Sequence, residues 1–231
     1  MEKDQASSQY REQLQGDIQT AVEAGQNVKE SVRRITFKAL TEGNLDSQSV
    51  KKIAEAVVKG AEFGVTNQSM AAKEVLNKAV SGLDEALSKA AEASTLAMKE
   101  AAGRGEEFST HELKRTLNDM QGLEALFIEV LQDGAKASKA QTSTILEELA
   151  GHAQNSGTAV GQQLKECLKG LVGEISSTGK SQIKSGVKAA QTTTLLLSKL
   201  AAGMLEGLAD SIETSNKSVG DTKVQSQDKA D

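Results

Sequence analysis

Apolar residues recur at helical spacing along nearly the whole chain. Tyr10, Leu14, Ile18 and Val22 fall on every fourth position, which is one face of a helix. Ala24-Gly25-Gln26-Asn27 interrupts the stripe, and Asn27 stands where it can cap a following helix. Val28, Val32, Ile35 and Ala39 then form a second stripe, closed by Thr41-Glu42-Gly43-Asn44. Asp46 stands as the cap of a third, carrying Val50, Ile53, Val57 and Ala61. The pattern predicts a polar, disordered stretch over 1–8 and a head of short amphipathic helices over 9–65.

The next stripe is longer. Met70, Val75, Leu76, Val80, Leu83, Leu87, Ala90, Ala91 and Met98 continue without a breaker until Gly103 and Gly105, and Asn67 can cap their start. A helix over 67–102 would be ~54 Å long at 1.5 Å per residue. Ser109 and Glu112 make a capping box for the helix after it. That helix carries Leu113, Leu117, Met120, Phe127 and Leu131, weakens across 134–143 and resumes at Ile145, Leu146 and Leu149.

A last apolar series has Leu164, Leu168, Leu171 and Ile175, then Ile183, Val187, Ala190, Thr194, Leu197, Ala201, Met204, Leu208 and Ile212. At ~100° per residue its two parts differ in phase by roughly a quarter-turn. A kink or turn is therefore expected at 176–179. These elements make a bundle of long helices over 66–213, and a polar tail over 214–231 is expected to be disordered.

Composition sharpens the picture. The 231 residues include no proline and no tryptophan, and only one tyrosine and four phenylalanines. Proline breaks helix interiors and sets many turns, so its absence points to helices with few connections. Cores of ordinary domains lean on large aromatics. A core of Ala, Leu, Val and Ile is thin and suits helices packed side by side. The expected fold is all-α: a short N-terminal three-helix head followed by long antiparallel amphipathic helices, in an elongated bundle or coiled-coil-like rod.

The net charge of −5 gives no general attraction to nucleic acid. A single cysteine, Cys167, leaves no intrachain disulfide framework and fits a reducing compartment. Met1 is followed by Glu2, Lys3, Asp4 and Gln5, so no signal peptide is expected. No apolar run is long enough to span a membrane. The expected location is cytoplasmic, with association to granules as an option.

Candidate chemistry is sparse. Gly173 to Ser181 looks like a phosphate-binding loop, but five residues separate Gly173 from Gly179 where that loop has four, and no strand precedes it. A helix joint is the better reading. His111 and His152 have no Cys or carboxylate at a familiar ligand spacing. Cys167 borders an apolar stripe, where a lone cysteine packs as a small hydrophobe. No acid–base or metal constellation appears, so neither an enzyme nor a cofactor is expected.

Lys165, Lys169, Lys180, Lys184 and Lys188 stay roughly 100° from the local apolar stripe. Such a flank serves a surface-binding helix, because lysine stems cover apolar area while the ammonium heads meet water or anions. It serves the solvated edge of a bundle equally well. Glycines four apart at Gly60/Gly64, Gly157/Gly161 and Gly203/Gly207 mark thin packing, or helices that bend and open.

Two stretches carry a resemblance: Val28 to Leu40 (VKESVRRITFKAL), followed by Leu45-Asp46 and Val57 to Ala61, and Ala202 to Ala209 (AGMLEGLA). They resemble an uncharacterised family of bacterial helical proteins. The Ala-rich, aromatic-poor character is similar to that of phasins, which coat polyhydroxyalkanoate granules. The resemblance implies no functional residues. The expected function is non-enzymatic: a phasin-like protein on an apolar granule or lipid surface, bound through Lys180, Lys184, Lys188, Leu197, Met204 and Leu208. The alternative is a cytoplasmic helical scaffold acting through partner helices. Either is expected as a homo-oligomer.

Cys167→Ser is expected to fold and to keep whatever binding the intact chain has. A circular-dichroism spectrum matching the parent, together with lost binding, would overturn that reading.

Overall fold

A computed structural model of the chain describes residues 2–43, 45–66, 72–103, 117–178 and 203. Among them the chain is all-α, with no strand: α1 (Glu2–Glu23), α2 (Val28–Glu42), α3 (Ser47–Val65), α4 (Ala72–Gly103), α5 (Leu123–Ala137), α6 (Ala140–Ser156) and α7 (Ala159–Thr178). A further helical turn over 117–121 leads into α5. α1 begins at Glu2, inside the stretch that polarity alone marks as disordered.

The helix ends show which local signals operate. Asp46 caps α3 as expected: its Oδ1 accepts the Ser49 N–H at 3.0 Å and its Oδ2 accepts the Ser49 hydroxyl at 2.8 Å. Asn27 stands at the N-cap of α2 but makes no side-chain capping bond. It is left-handed, with φ 49°, as is Gly25 with φ 67°. Asparagine tolerates this conformation, so Asn27 serves the turn between α1 and α2 instead of the cap. The weakening seen over 134–143 is a break at Ser138-Lys139. The chain folds back there, and a Cβ on Gly134 would lie 3.4 Å from Leu146 Cδ1. What reads as one interrupted helix is the pair α5 and α6. α7 runs on to Thr178 through most of the stretch expected to kink; Gly179 lies outside the described residues.

α4 is the axis of the assembly. It packs on α2, α3, α6 and α7, and at 32 residues it is ~48 Å long. Val75, Leu76, Val80, Leu83, Leu87, Ala90, Ala91 and Met98, the stripe read from sequence, are all buried. So are Ala79, Ala86, Ala93 and Ala97 between them. The Ala-rich face finds its partner helices within its own chain. One connected apolar core reaches from Leu14, Ile18 and Val22 of α1 to Val160 and Leu164 of α7. The head expected at 9–65 thus shares its core with the helices that follow.

Several neighbours run in the same direction. α3 lies along α1, with Gly60 against Gln15 and Ile18, and Gly64 against Gln19 and Val22. α5 lies along α3 through Ser47–Asp119 at 2.9 Å and Lys51–Glu129 at 2.7 Å. α6 and then α7 follow α4, through Lys73–Glu148 and through Asp84 to Ala159. The expected caps at Asn67 and at Ser109/Glu112, the stripe over 183–212 and the tail over 214–231 lie outside the described residues.

The α1–α3 contact yields a test. A Cβ on Gly60 would stand 2.5 Å from the Gln15 carbonyl oxygen and 2.9 Å from Ile18 Cβ; one on Gly64 would stand 2.6 Å from Val22 Cβ. Gly60→Ala and Gly64→Ala are expected to cost about 1–3 kcal/mol each, the range for overpacking. Gly16, in the same α1, has nothing within 4 Å of its added Cβ, so Gly16→Ala should add about 0.5–1 kcal/mol. Urea unfolding midpoints measure all three, and the same sign for Gly16→Ala as for Gly60→Ala and Gly64→Ala would refute the close-contact account.

Candidate functional site

The surface-binding residues read from sequence, Lys180, Lys184, Lys188, Leu197, Met204 and Leu208, lie outside the described residues. Their upstream companions Lys165 and Lys169 are exposed on α7, while Val160, Leu164 and Cys167 of the same helix are buried. Separation of lysines from an apolar face is thus present in α7, where the apolar side is turned into the core. Cys167 takes the Gln163 amide at 3.5 Å and packs as the small hydrophobe it was expected to be. His152 is exposed, its Nδ1 3.3 Å from Ser156 Oγ; His111 lies outside the described residues. Residues 173–178 are helical, a geometry in which successive N–H groups cannot wrap a phosphate. No group of His, Cys, Asp and Glu among the described residues is arranged to hold a metal ion.

The most concentrated chemistry sits where α4, α5 and α7 meet. α6 ends at Ser156, Gly157 turns the chain with φ 79°, and α7 starts at Ala159. The first N–H groups of a helix lack partners within it. Here Asp84 of α4 supplies them: its Oδ2 accepts from Ala159 N–H at 2.7 Å and its Oδ1 from Val160 N–H at 3.0 Å. Thr158 completes the set. Its hydroxyl accepts the Gly161 N–H at 2.8 Å and donates to Glu124 Oε1 of α5 at 3.0 Å. The Glu124 carboxylate lies so close over Gly161 that a Cβ there would overlap it.

Burial raises the Asp84 pKa above the ordinary carboxyl value, and the charges of Glu85 and Glu124 add to the shift; the two backbone N–H groups pull it back. A second half-buried carboxylate, Glu62, lies between α3 and α5, where its Oε1 has no hydrogen-bond partner. Burial raises its pKa as well, against the pull of Ser138 and Lys59. Both carboxylates lie at contacts between helices.

The sequence marks this junction by Gly157 and Gly161, four apart, but does not reveal its carboxylates. Thr158 ahead of an apolar run is a helix-start signal, available from the chain itself. Asp84 had none, because its partners stand 75 and 76 positions away. Among the described residues no helix is long and apolar enough to cross a membrane.

Residues 4–214 match a family of unknown function, DUF6781, and the chain belongs to that family. No curated protein and no solved structure matches it.

Glu62 makes a pH test possible. With its folded pKa raised, the folded chain holds that proton more tightly than the unfolded chain. Its contribution to stability is therefore fully present below the unfolded carboxyl value and is lost as pH rises through the folded one. Glu62→Gln, which stays neutral, is expected to stabilise the chain near pH 7 and to change little near pH 3, on either side of the ordinary glutamate value of about 4.3. Urea unfolding at the two pH values reads this directly; a larger gain at the lower pH contradicts it.

Proposed function

We propose that the chain is a non-enzymatic, phasin-like protein that coats an apolar granule or lipid surface in the cytoplasm. The segment over 180–212 makes the contact, through Leu197, Met204 and Leu208 with Lys180, Lys184 and Lys188 beside them. One observation supports this reading above others: the apolar stripes of α1 to α4 already cover one another in a common core. A further stripe of comparable length follows at 183–212. An apolar stripe flanked by lysines suits the boundary between water and an apolar phase.

The energetics favour the apolar part. Burying a leucine contributes about 1.5–3 kcal/mol, and a lysine near an anionic surface about 1 kcal/mol. Binding to a neutral apolar surface should survive high salt, whereas binding to anionic lipid should weaken as salt screens the charges.

The test is flotation of the intact chain with hydrophobic particles and with anionic vesicles, beside the Leu197→Asp/Leu208→Asp variant. The intact chain should float with both, and the double variant should remain in solution. Failure of the folded, intact chain to bind either surface replaces this reading with that of a helical scaffold acting through partner helices. Undiminished binding by the double variant moves the contact away from Leu197 and Leu208.

A further inference from the structure

The end of α5 rests on one hydroxyl that two acceptors can claim. The last carbonyls of a helix lack partners within it. Here the Ser138 N–H goes to the Ala135 carbonyl at 3.3 Å, and the Gly134 carbonyl takes the Ser138 hydroxyl at 2.7 Å. A serine hydroxyl has a single proton to give, and lone pairs with which to receive. The same hydroxyl acts on the Glu62 carboxyl of α3, pulling its pKa down against burial.

Glu62 stands in a poor place for a charge. A Cβ built on Gly134 would lie 3.1 Å from Glu62 Oε1, 2.9 Å from Val58 Cγ1 and 3.4 Å from Leu146 Cδ1. The carboxyl thus shares its space with apolar groups of α3 and α6, and Oε1 is buried with no hydrogen-bond partner. Ionised, it leaves a charged oxygen bare; neutral, it leaves a carbonyl oxygen, which is less costly to bury.

Compensating charge is scarce. Lys59 on α3 is exposed and draws Glu62 toward ionisation. Charged groups on the neighbouring elements have partners of their own. Asp133 pairs with Lys136 on α5, and Lys51 of α3 with Glu129. On α4, Lys73 pairs with Glu148 of α6 and Lys78 with Glu74. Arg33 of α2 pairs with Glu30, and Glu23 of α1 accepts from Gln19. Glu147 of α6 is exposed.

We propose that Glu62 and Ser138 form a proton switch where α3 meets the joint between α5 and α6. With Glu62 neutral, its O–H donates to Ser138 Oγ, and the Ser138 proton stays on the Gly134 carbonyl and closes the end of α5. With Glu62 ionised, the Ser138 proton turns to the carboxylate and the Gly134 carbonyl loses its partner. One proton lost by Glu62 moves one hydrogen bond at the joint, while the helices stay packed. Burial puts the change above the ordinary glutamate value, so the end of α5 is closed in acid and loosens as pH rises through the folded Glu62 value. The switch does not depend on what the chain binds.

Carbon NMR of the intact, isotope-labelled chain, followed from about pH 3 to about pH 8, reads both ends of the switch. The Glu62 carboxyl resonance, identified by its loss in Glu62→Gln, is expected to titrate above the ordinary value of about 4.3. The Gly134 carbonyl resonance should move upfield with the same midpoint, as a carbonyl does on losing a hydrogen bond. Glu62→Gln keeps a neutral donor beside Ser138 and should hold the Gly134 resonance at its low-pH position throughout. Ser138→Ala should raise the Glu62 midpoint further and uncouple the Gly134 resonance from it. Three results overturn the switch. Glu62 titrates at or below the ordinary value; the Gly134 resonance stays still while Glu62 titrates; or it moves as far in Ser138→Ala, which makes it a direct effect of the charge.

Discussion

Helices in this protein must approach one another closely, because the chain has little with which to fill a wide gap. It carries no tryptophan, one tyrosine and four phenylalanines, and among the described residues its core is mostly Ala, Val, Leu and Ile, with Phe37 and Phe127 as the buried aromatics. Close approach is sustained where side chains vanish. Gly60 and Gly64 let α3 lie on the backbone of α1, and Gly82 lets α4 lie on α2 beside Lys29 and Arg33. Dispersion between well-fitted small groups then replaces the area that aromatics would bury. Such a core tolerates little added volume, so it confers definition on the helix positions more than reserve stability.

α4 turns that constraint into an architecture. It is long enough to be lined by different helices along its length: α2 and α3 from the head, then α6 and α7. Where the lining changes from α6 to α7 the contact becomes polar, since a helix start brings unpaired N–H groups into a half-buried place. The carboxylate of Asp84 answers that need at the cost of its own desolvation, which is why its pKa rises while two N–H groups pull against the rise.

Much of this was visible in the residues and some was not, for physical reasons. The stripes on α1, α3 and α4 identify their buried sides because a helix displays its periodicity within a few turns. Asp46 declares its cap because the partner, Ser49, is three residues away. Asn27 looked the same in sequence and behaves differently: the tight turn through Gly25 set its backbone left-handed. The break at Ser138-Lys139 showed only as weakened periodicity, and whether weakness means a bend or a reversal depends on which distant helices compete for the two faces. Asp84 showed nothing. Its role exists only once α7 has been laid alongside α4. The residues favoured for surface contact, from Lys180 to Leu208, rest on pattern alone.

The shared direction of α4 and the α6–α7 pair carries a consequence for synthesis. Lys73 meets Glu148, and Asp84 meets Ala159, so each position on α4 waits for a residue 75 places later. At the usual ~5–20 residues per second, the ribosome completes α4 several seconds before the helices that cover this side of it. During that interval the nascent chain holds a long alanine- and leucine-rich helix face open to whatever else is in the cell. Between the completion of α4 and the arrival of α7, that side of α4 has yet to meet the helices that cover it in the folded chain.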